Sequence, residues 1–130
     1  MKLRPMLQVR DVASSSAWYQ NVLGLQSGHG GDEYEMLFAG ADFVLQLHHD
    51  DPAEHRIPKV SGEGGDSSGV TLWFEAEDRS GFEELVERAR SAQAPFMGEP
   101  QWNPVAHHHE ATILDPDGYV VVLHSPFEAP

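Results

Sequence analysis

Apolar and polar residues alternate in short runs along this chain, and the runs predict a sequence of small elements. Leu3 to Val9 reads as a first strand, ended by Arg10-Asp11. Asp11, or one of Ser14 to Ser16, is placed to cap a helix running to about Leu23. Within it Trp18 and Val22 are four apart, as are Tyr19 and Leu23, which makes an apolar stripe. Gly24 fits the position after the helix, where a left-handed residue is needed. A weak, glycine-rich stretch, Leu25 to Gly31, leads to two strands, Glu35–Ala39 and Phe43–His48, joined tightly through Gly40.

Residues 50–69 break the pattern. Asp50, Asp51, Pro52, Pro58, several glycines and Ser67-Ser68 read as a linker or as a lid over a site. Beyond it the order repeats. Val70–Glu75 is a strand. Ser80 and Glu83 form a capping box opening a helix whose face is Phe82, Leu85, Val86 and Ala89, ending near Gln93. Residues 96–106 are polar and interrupted by proline, as in an irregular edge strand. Glu110–Leu114 and Tyr119–His124 form a last hairpin around Asp115-Pro116-Asp117-Gly118. The two hairpins superpose at a constant offset of 76 residues, which matches Leu37 with Ile113, Leu45 with Val121, and His48 with His124. The module starts align less well, near an offset of 66. The expectation is an α+β fold of paired βαβββ modules with curled mixed sheets. A single domain, 1–130, is then composed of a module 1–49, a linker 50–69 and a module 70–130.

Composition narrows the function. The 130 residues carry 21 acidic and 8 basic side chains, a formal net charge of -13. So acidic a surface argues against a nucleic-acid backbone as partner. There is no cysteine, so disulfide scaffolds, thiolate metal sites and cysteine nucleophiles are excluded. No apolar run approaches the roughly 20 residues of a spanning helix, and the start shows no secretory pattern. A cytoplasmic protein with no membrane partner is expected. Phosphate-binding glycine loops and serine nucleophile elbows are also absent from the sequence.

Trp18-Tyr19-Gln20-Asn21-Val22-Leu23-Gly24-Leu25 resembles the WYxxxLGL helix of the vicinal oxygen chelate superfamily. This is the glyoxalase, bleomycin-resistance and extradiol-dioxygenase group. Asp115-Pro116-Asp117-Gly118-Tyr119 resembles the turn before its last strand. These are scaffold residues and carry no chemistry. The resemblance implies ligands or metals held in half-open cups, and commonly a homodimer. It carries the four usual metal positions, one on the first and last strand of each module, to Arg4, Gln46, Val70 and Val122. Of these only Gln46 is a customary ligand; valine cannot ligate and arginine brings a cation. A usual divalent site is therefore not expected, and no cofactor is predicted. With the first strand slipped, Gln8 is the nearest candidate ligand.

Side chains two apart on a strand share a face. Gln46 is expected with His48 and Val44, Val122 with His124, Arg4 with Met6 and Gln8, and Val70 with Leu72 and Phe74. His48 and His124, at matching ends of the two modules, are candidates for a displaced metal site or for acid–base work. In His107-His108-His109-Glu110, residues 107 and 109 are expected on one face and 108 and 110 on the other. His109 is taken as a third catalytic candidate. Glu33, Tyr34 and Glu35 read as an exposed strand segment that offers a carboxylate or phenol to the first cup. Trp73 and Trp102 are candidates to stack on a flat ligand, and Arg4 to pair with a ligand anion. The leading expectation is a metal-independent small-molecule binding protein, sequestering a bulky or cationic natural product. The ligand contacts are Arg4, Gln8, Gln46, Trp73, Trp102 and Val122. The alternative is a lyase, isomerase or dioxygenase for a small oxygenated substrate, using a displaced metal or histidine acid–base catalysis.

Overall fold

Leu7 and Val9 are buried while Met6 and Gln8, which alternate with them, are not, and this alternation opens the fold in strand β1 (Met6–Val9). The computed structural model describes residues 1–50 and 70–130, so the linker and the lid expected within 50–69 lie outside the described residues from 51 onward. The chain divides into two compact units, Met1–Asp66 and Ser67–Pro130.

In the first unit α1 (Val12–Leu23) follows β1. Asp11 caps it by accepting from the Ser14 amide at 2.9 Å, and that bond holds its carboxyl below the usual range. Gly24 ends it at φ 70°, donating to Gln20 O. A two-residue strand, β2 (Gln26–Ser27), lies in the glycine-rich stretch, followed by β3 (Tyr34–Ala39) and β4 (Asp42–His49). The sheet order is β1-β4-β3-β2, with β1 parallel to β4 and the others antiparallel. Leu7, Val9, Leu37, Leu45 and Leu47 are fully buried together with Val12, Tyr19 and Val22 of α1. The first strand is shorter than expected: Leu3 and Arg4 precede it and are exposed.

Strict alternation is broken once. The β3–β4 register shifts between Leu37, opposite Leu45, and Phe38, opposite Phe43. The extra residue, Val44, is a β-bulge, and it brings the Phe38 and Phe43 rings to 5.3 Å.

Glu35 departs from expectation most sharply. It is not exposed but 2% accessible, in the helix-facing row of β3 with Leu37. Its carboxylate accepts from the hydroxyls of Ser16 (2.7 Å) and Ser27 (2.8 Å), and from the amides of Gly30 (2.8 Å) and His29 (3.1 Å). One side chain thus ties α1, β2 and the following turn to β3. Burial pushes its carboxyl up, but the Gly30 amide, the two hydroxyls and the Met36 amide outweigh that and hold it below its ordinary value.

The second unit repeats the order: β5 (Thr71–Glu75), α2 (Arg79–Ser91), β6 (Gln101–Asn103), β7 (His108–Leu114) and β8 (Val120–His124), arranged β5-β8-β7-β6. The helix cap is Asp78, which accepts from the Gly81 amide at 2.7 Å, two residues before the predicted capping box at Ser80. Phe82, Ala89, Ala111, Ile113, Val121 and Leu123 form its buried core. In the last turn the Asp115 carboxylate accepts from the amides of Asp117 and Tyr119, and Gly118 adopts φ 84°. The offset of 76 holds in the pairing itself. Tyr34 faces His48 as Glu110 faces His124, and Met36 faces Gln46 as Thr112 faces Val122.

Glu35 generates a stability prediction. Its folded-state pKa lies below the unfolded one, so the carboxylate stabilises the fold above the ordinary glutamate range, and this contribution is lost as pH falls through the folded value. Glu35→Gln is expected to cost about 2 kcal/mol at neutral pH. In urea unfolding, the gap to wild type should narrow below about pH 4; a gap independent of pH would contradict this account.

Candidate functional site

One helix packs on each sheet, against β3 and β4 in the first unit and β7 and β8 in the second. The leucines, valines and isoleucine on that side leave the alternate residues on the opposite face. These faces hold the polar and aromatic groups from which a site is built, and each is described within its own unit.

In the first unit this face carries Met6, Gln8, Tyr34, Met36, Gln46 and His48. The register sets Met6 opposite Gln46, Gln8 opposite His48, and Tyr34 opposite His48 on the other side. The Tyr34 hydroxyl donates to Gln46 Oε1 at 2.7 Å, and Gln46 Nε2 donates to Arg4 O at 3.1 Å. The amide of Gln46 is thereby fixed in one orientation. Burial, with the nearby Glu35 charge, pushes the Tyr34 phenol up, so it remains a donor at neutral pH. The His48 ring lies 6.1 Å from that of Tyr34, and its Nδ1 makes a 3.1 Å contact with His49 O.

In the second unit the same face carries Trp73, His108, Glu110, Thr112, Val122 and His124. Trp73 is opposite Val122, and Glu110 is opposite His124. His108 Nε2 lies 2.7 Å from Glu110 Oε2. Asn103 Nδ2 donates to both oxygens of the same carboxylate at 3.3 Å. The rings of His108 and His124 are 4.6 Å apart and tilted by 32°; Trp73 lies 5.9 Å from the first and 5.4 Å from the second. His108 is buried, whereas Trp73 is 53% exposed. The result is an open indole with two imidazoles at its side and a hydrogen-bonded carboxylate next to them. His124 Nδ1 lies 2.9 Å from Ser125 O, so as a donor it leaves Nε2 with a lone pair.

Several expected site residues fall elsewhere. Trp102 pairs directly with His109, their rings 4.9 Å apart, and the His109 ring lies 6.3 Å from that of Phe82 in α2. Both are therefore on the helix side of the second sheet, and the expectation that His109 reaches the cup is corrected. The reason is strand parity: His109 shares a face with Ala111 and Ile113, which are buried on the helix side. Asn103 Oδ1 accepts from the amides of Val105 and Ala106, His107 takes φ 55°, and the strand begins at His108. By that parity the cup face takes His108 and Glu110. Strict alternation identified those two as partners, and the offset of 76, which sets Glu110 level with Tyr34, was the signal that would have put them on the cup side. Trp73, named with Val122 as a ligand contact, shares its face, because β5 pairs with β8 as Trp73 opposite Val122; Leu72 and Phe74, expected to line the cup, instead lie opposite Val121 and Leu123 on the helix side.

The positions carried over for a metal change as well. Arg4 and Val70 precede β1 and β5; the residues opposite Gln46 and Val122 are Met6 and Trp73. Neither set supplies the oxygen, nitrogen and carboxylate donors that a divalent ion needs, and the Gln46 carbonyl oxygen is already an acceptor for Tyr34. The donor set does not fit the metal of the resembled family. Among the described residues no group of three or more histidine or acidic side chains is arranged to hold an ion. His48 and His124 lie in different units, each with Nδ1 against the carbonyl of the next residue. No helix among the described residues is long and apolar enough to cross a membrane.

Comparison with known proteins agrees with this architecture. Solved structures superpose on nearly the whole chain, among them the following three. A glyoxalase/bleomycin resistance protein/dioxygenase family enzyme from Burkholderia phytofirmans PsJN is 22% identical, with a TM-score of 0.73, covering 94% of this chain and 95% of its own. A lactoylglutathione lyase from Agrobacterium tumefaciens is 20% identical, with a TM-score of 0.69, covering 96% and 92%. The fosfomycin resistance protein FosX from Listeria monocytogenes is 13% identical, with a TM-score of 0.71, covering 97% and 93%. At such identities the likeness is one of fold. No curated protein matches the chain. Residues 3–123 match the Glyoxalase/Bleomycin resistance protein/Dioxygenase superfamily, and the chain belongs to that superfamily.

Proposed function

We propose that the protein is a metal-independent small-molecule binding protein that takes a flat or bulky cationic natural product on the helix-free face of its second sheet. The half-exposed Trp73, flanked by His108 and His124, with the Glu110 carboxylate bonded to His108, carries this reading. An indole face attracts a cation through its quadrupole, and a carboxylate nearby adds charge attraction. Val122 supplies an apolar floor next to Trp73, and His124 a rim acceptor. The formal net charge of -13 favours the approach of a cation over that of an anion. In the first unit Gln8, Gln46 and His48 line the equivalent open face. The reading extends to a single domain spanning residues 1–130, a cytoplasmic location and a homodimer. Light scattering checks the last, a dimer having twice the 14.4 kDa chain mass.

The 2.7 Å contact of His108 with Glu110 supports a second reading. A carboxylate that orients an imidazole is the usual arrangement of a general base, and a lyase or isomerase acting without metal would use it. Family membership does not choose between the two, since the similar structures include both a lyase and a resistance protein by name.

Trp73→Ala is expected to weaken binding of a flat aromatic cation of the acridine class about tenfold, as loss of one cation–π contact requires. Calorimetry gives the affinity. Trp102→Ala, on the other face, should leave it unchanged; equal losses in the two variants would contradict the proposed face. Chain purified without a histidine tag or chelator is expected to carry far less than one transition metal ion per molecule by mass spectrometry, before and after metal addition. A tightly held stoichiometric ion would overturn the metal-independent reading.

A further inference from the structure

The first unit contains a cavity of about 450 Å³, open to solvent, at the hairpin end of β3 and β4. That volume lies within the range of small-molecule sites. Its lining includes Lys2, Arg4, Phe38, Asp42 and Phe43. The bulge at Val44 creates its apolar wall by bringing Phe43 opposite Phe38.

Arg4 is held in place from three directions. One terminal nitrogen, Nη1, donates to Phe43 O at 2.6 Å, and the guanidinium carbon sits 4.7 Å over the centre of the Phe43 ring. The backbone that follows the side chain is tied down by Gln46, whose Nε2 donates to Arg4 O and whose amide donates to Pro5 O at 2.9 Å. A guanidinium has five N–H donors, and the bond to Phe43 O uses one. Among the described residues, the edge made by Nε and Nη2 has no hydrogen-bond partner, and no carboxylate forms an ion pair with Arg4. That edge is the fork that receives a carboxylate through two parallel hydrogen bonds.

We propose that this cavity is a second ligand site, separate from the Trp73 face, that takes a carboxylate attached to a flat apolar body. The Arg4 fork receives the carboxylate, Lys2 adds a second positive charge, and Phe38 and Phe43 pack on the body. The acidic net charge does not prevent this. Charges beyond about 8 Å are largely screened at physiological salt, so the two cations against one Asp42 in the lining decide the local field. Because Arg4 is already stacked and hydrogen-bonded, little ordering remains to be done when the ligand arrives.

The test uses the full chain, with 2-naphthoate and its neutral analogue 2-naphthamide as probes. Amide NMR spectra should show saturable shifts at Phe38 and Phe43 with 2-naphthoate, and the neutral probe should bind at least about tenfold more weakly, as loss of a bidentate ion pair implies. Arg4→Gln should produce the same loss for the carboxylate, and Arg4→Lys, which keeps the charge but not the fork, a smaller one. Trp73→Ala should leave 2-naphthoate affinity unchanged, which separates this site from the cation site. Equal affinity for the two probes, unchanged affinity in Arg4→Gln, shifts confined to the Trp73 face, or no saturable binding would each overturn the proposal. If Arg4→Gln loses the dispersed spectrum of the folded chain, the comparison of the two probes on wild type and Arg4→Lys decides.

Discussion

Burial of Leu37, Leu45 and Leu47 against α1, and of Ile113, Val121 and Leu123 against α2, sets the phase of both sheets. A strand alternates with a period of two, so once these residues face the helices, the neighbours of each are committed to the other side. Every residue assigned to the candidate site follows from that commitment. Tyr34, Gln46 and His48 fall on the open face of the first unit, and Trp73, Glu110, Val122 and His124 on that of the second. A slip of one residue would send Trp73 to the helix and Phe74 to the open face, and the chemistry would disappear without any change of composition.

A buried carboxylate on a helix-facing row shows what such a position demands. A carboxylate transferred from water without partners would cost several kcal/mol and would normally be protonated. Glu35 remains below its ordinary pKa because hydroxyls and amides from three segments converge on it. The same bonds fix the path of the chain from α1 through β2 to β3, so the acid fastens the two-residue strand that has little packing of its own. On the open faces the polar groups pair just as closely, but the exposed indole of Trp73 stands beside them, and polar groups next to apolar surface are what a binding site requires.

The repeated order, the α1 ends at Asp11 and Gly24, the turn at Asp115–Gly118 and the offset of 76 were legible in the sequence, because caps, turns and periodic apolar residues are local signals. Less legible were the features that depend on where a strand begins. Asp78 rather than Ser80 caps α2, since the side chain that accepts the Gly81 amide is two positions earlier. His107 has a left-handed backbone beside the Asn103 turn and falls outside β7, while the parity set by Ala111 and Ile113 puts His108 rather than His109 on the open face. The bulge at Val44 left no trace in the apolar pattern, yet it shapes the wall beside Arg4. Glu35 looked like an exposed acid because its partners, Ser16, Ser27 and the amides of His29 and Gly30, lie on three different segments. The family to which the chain belongs was readable from two scaffold motifs, and those motifs say nothing about ligands.

Ligand binding on the open face of the second sheet, as proposed, can be read from its histidines, which lie on both faces. His108 and His124 flank Trp73, whereas His109 faces Phe82 and His107 stands outside the strand, next to Phe127. The most direct measurement is to follow the imidazole NMR resonances of all four while titrating a flat aromatic cation. The account predicts saturable shifts of His108 and His124 with His107 and His109 nearly unmoved. Shifts led by His107 and His109, or equal shifts in all four, would contradict it.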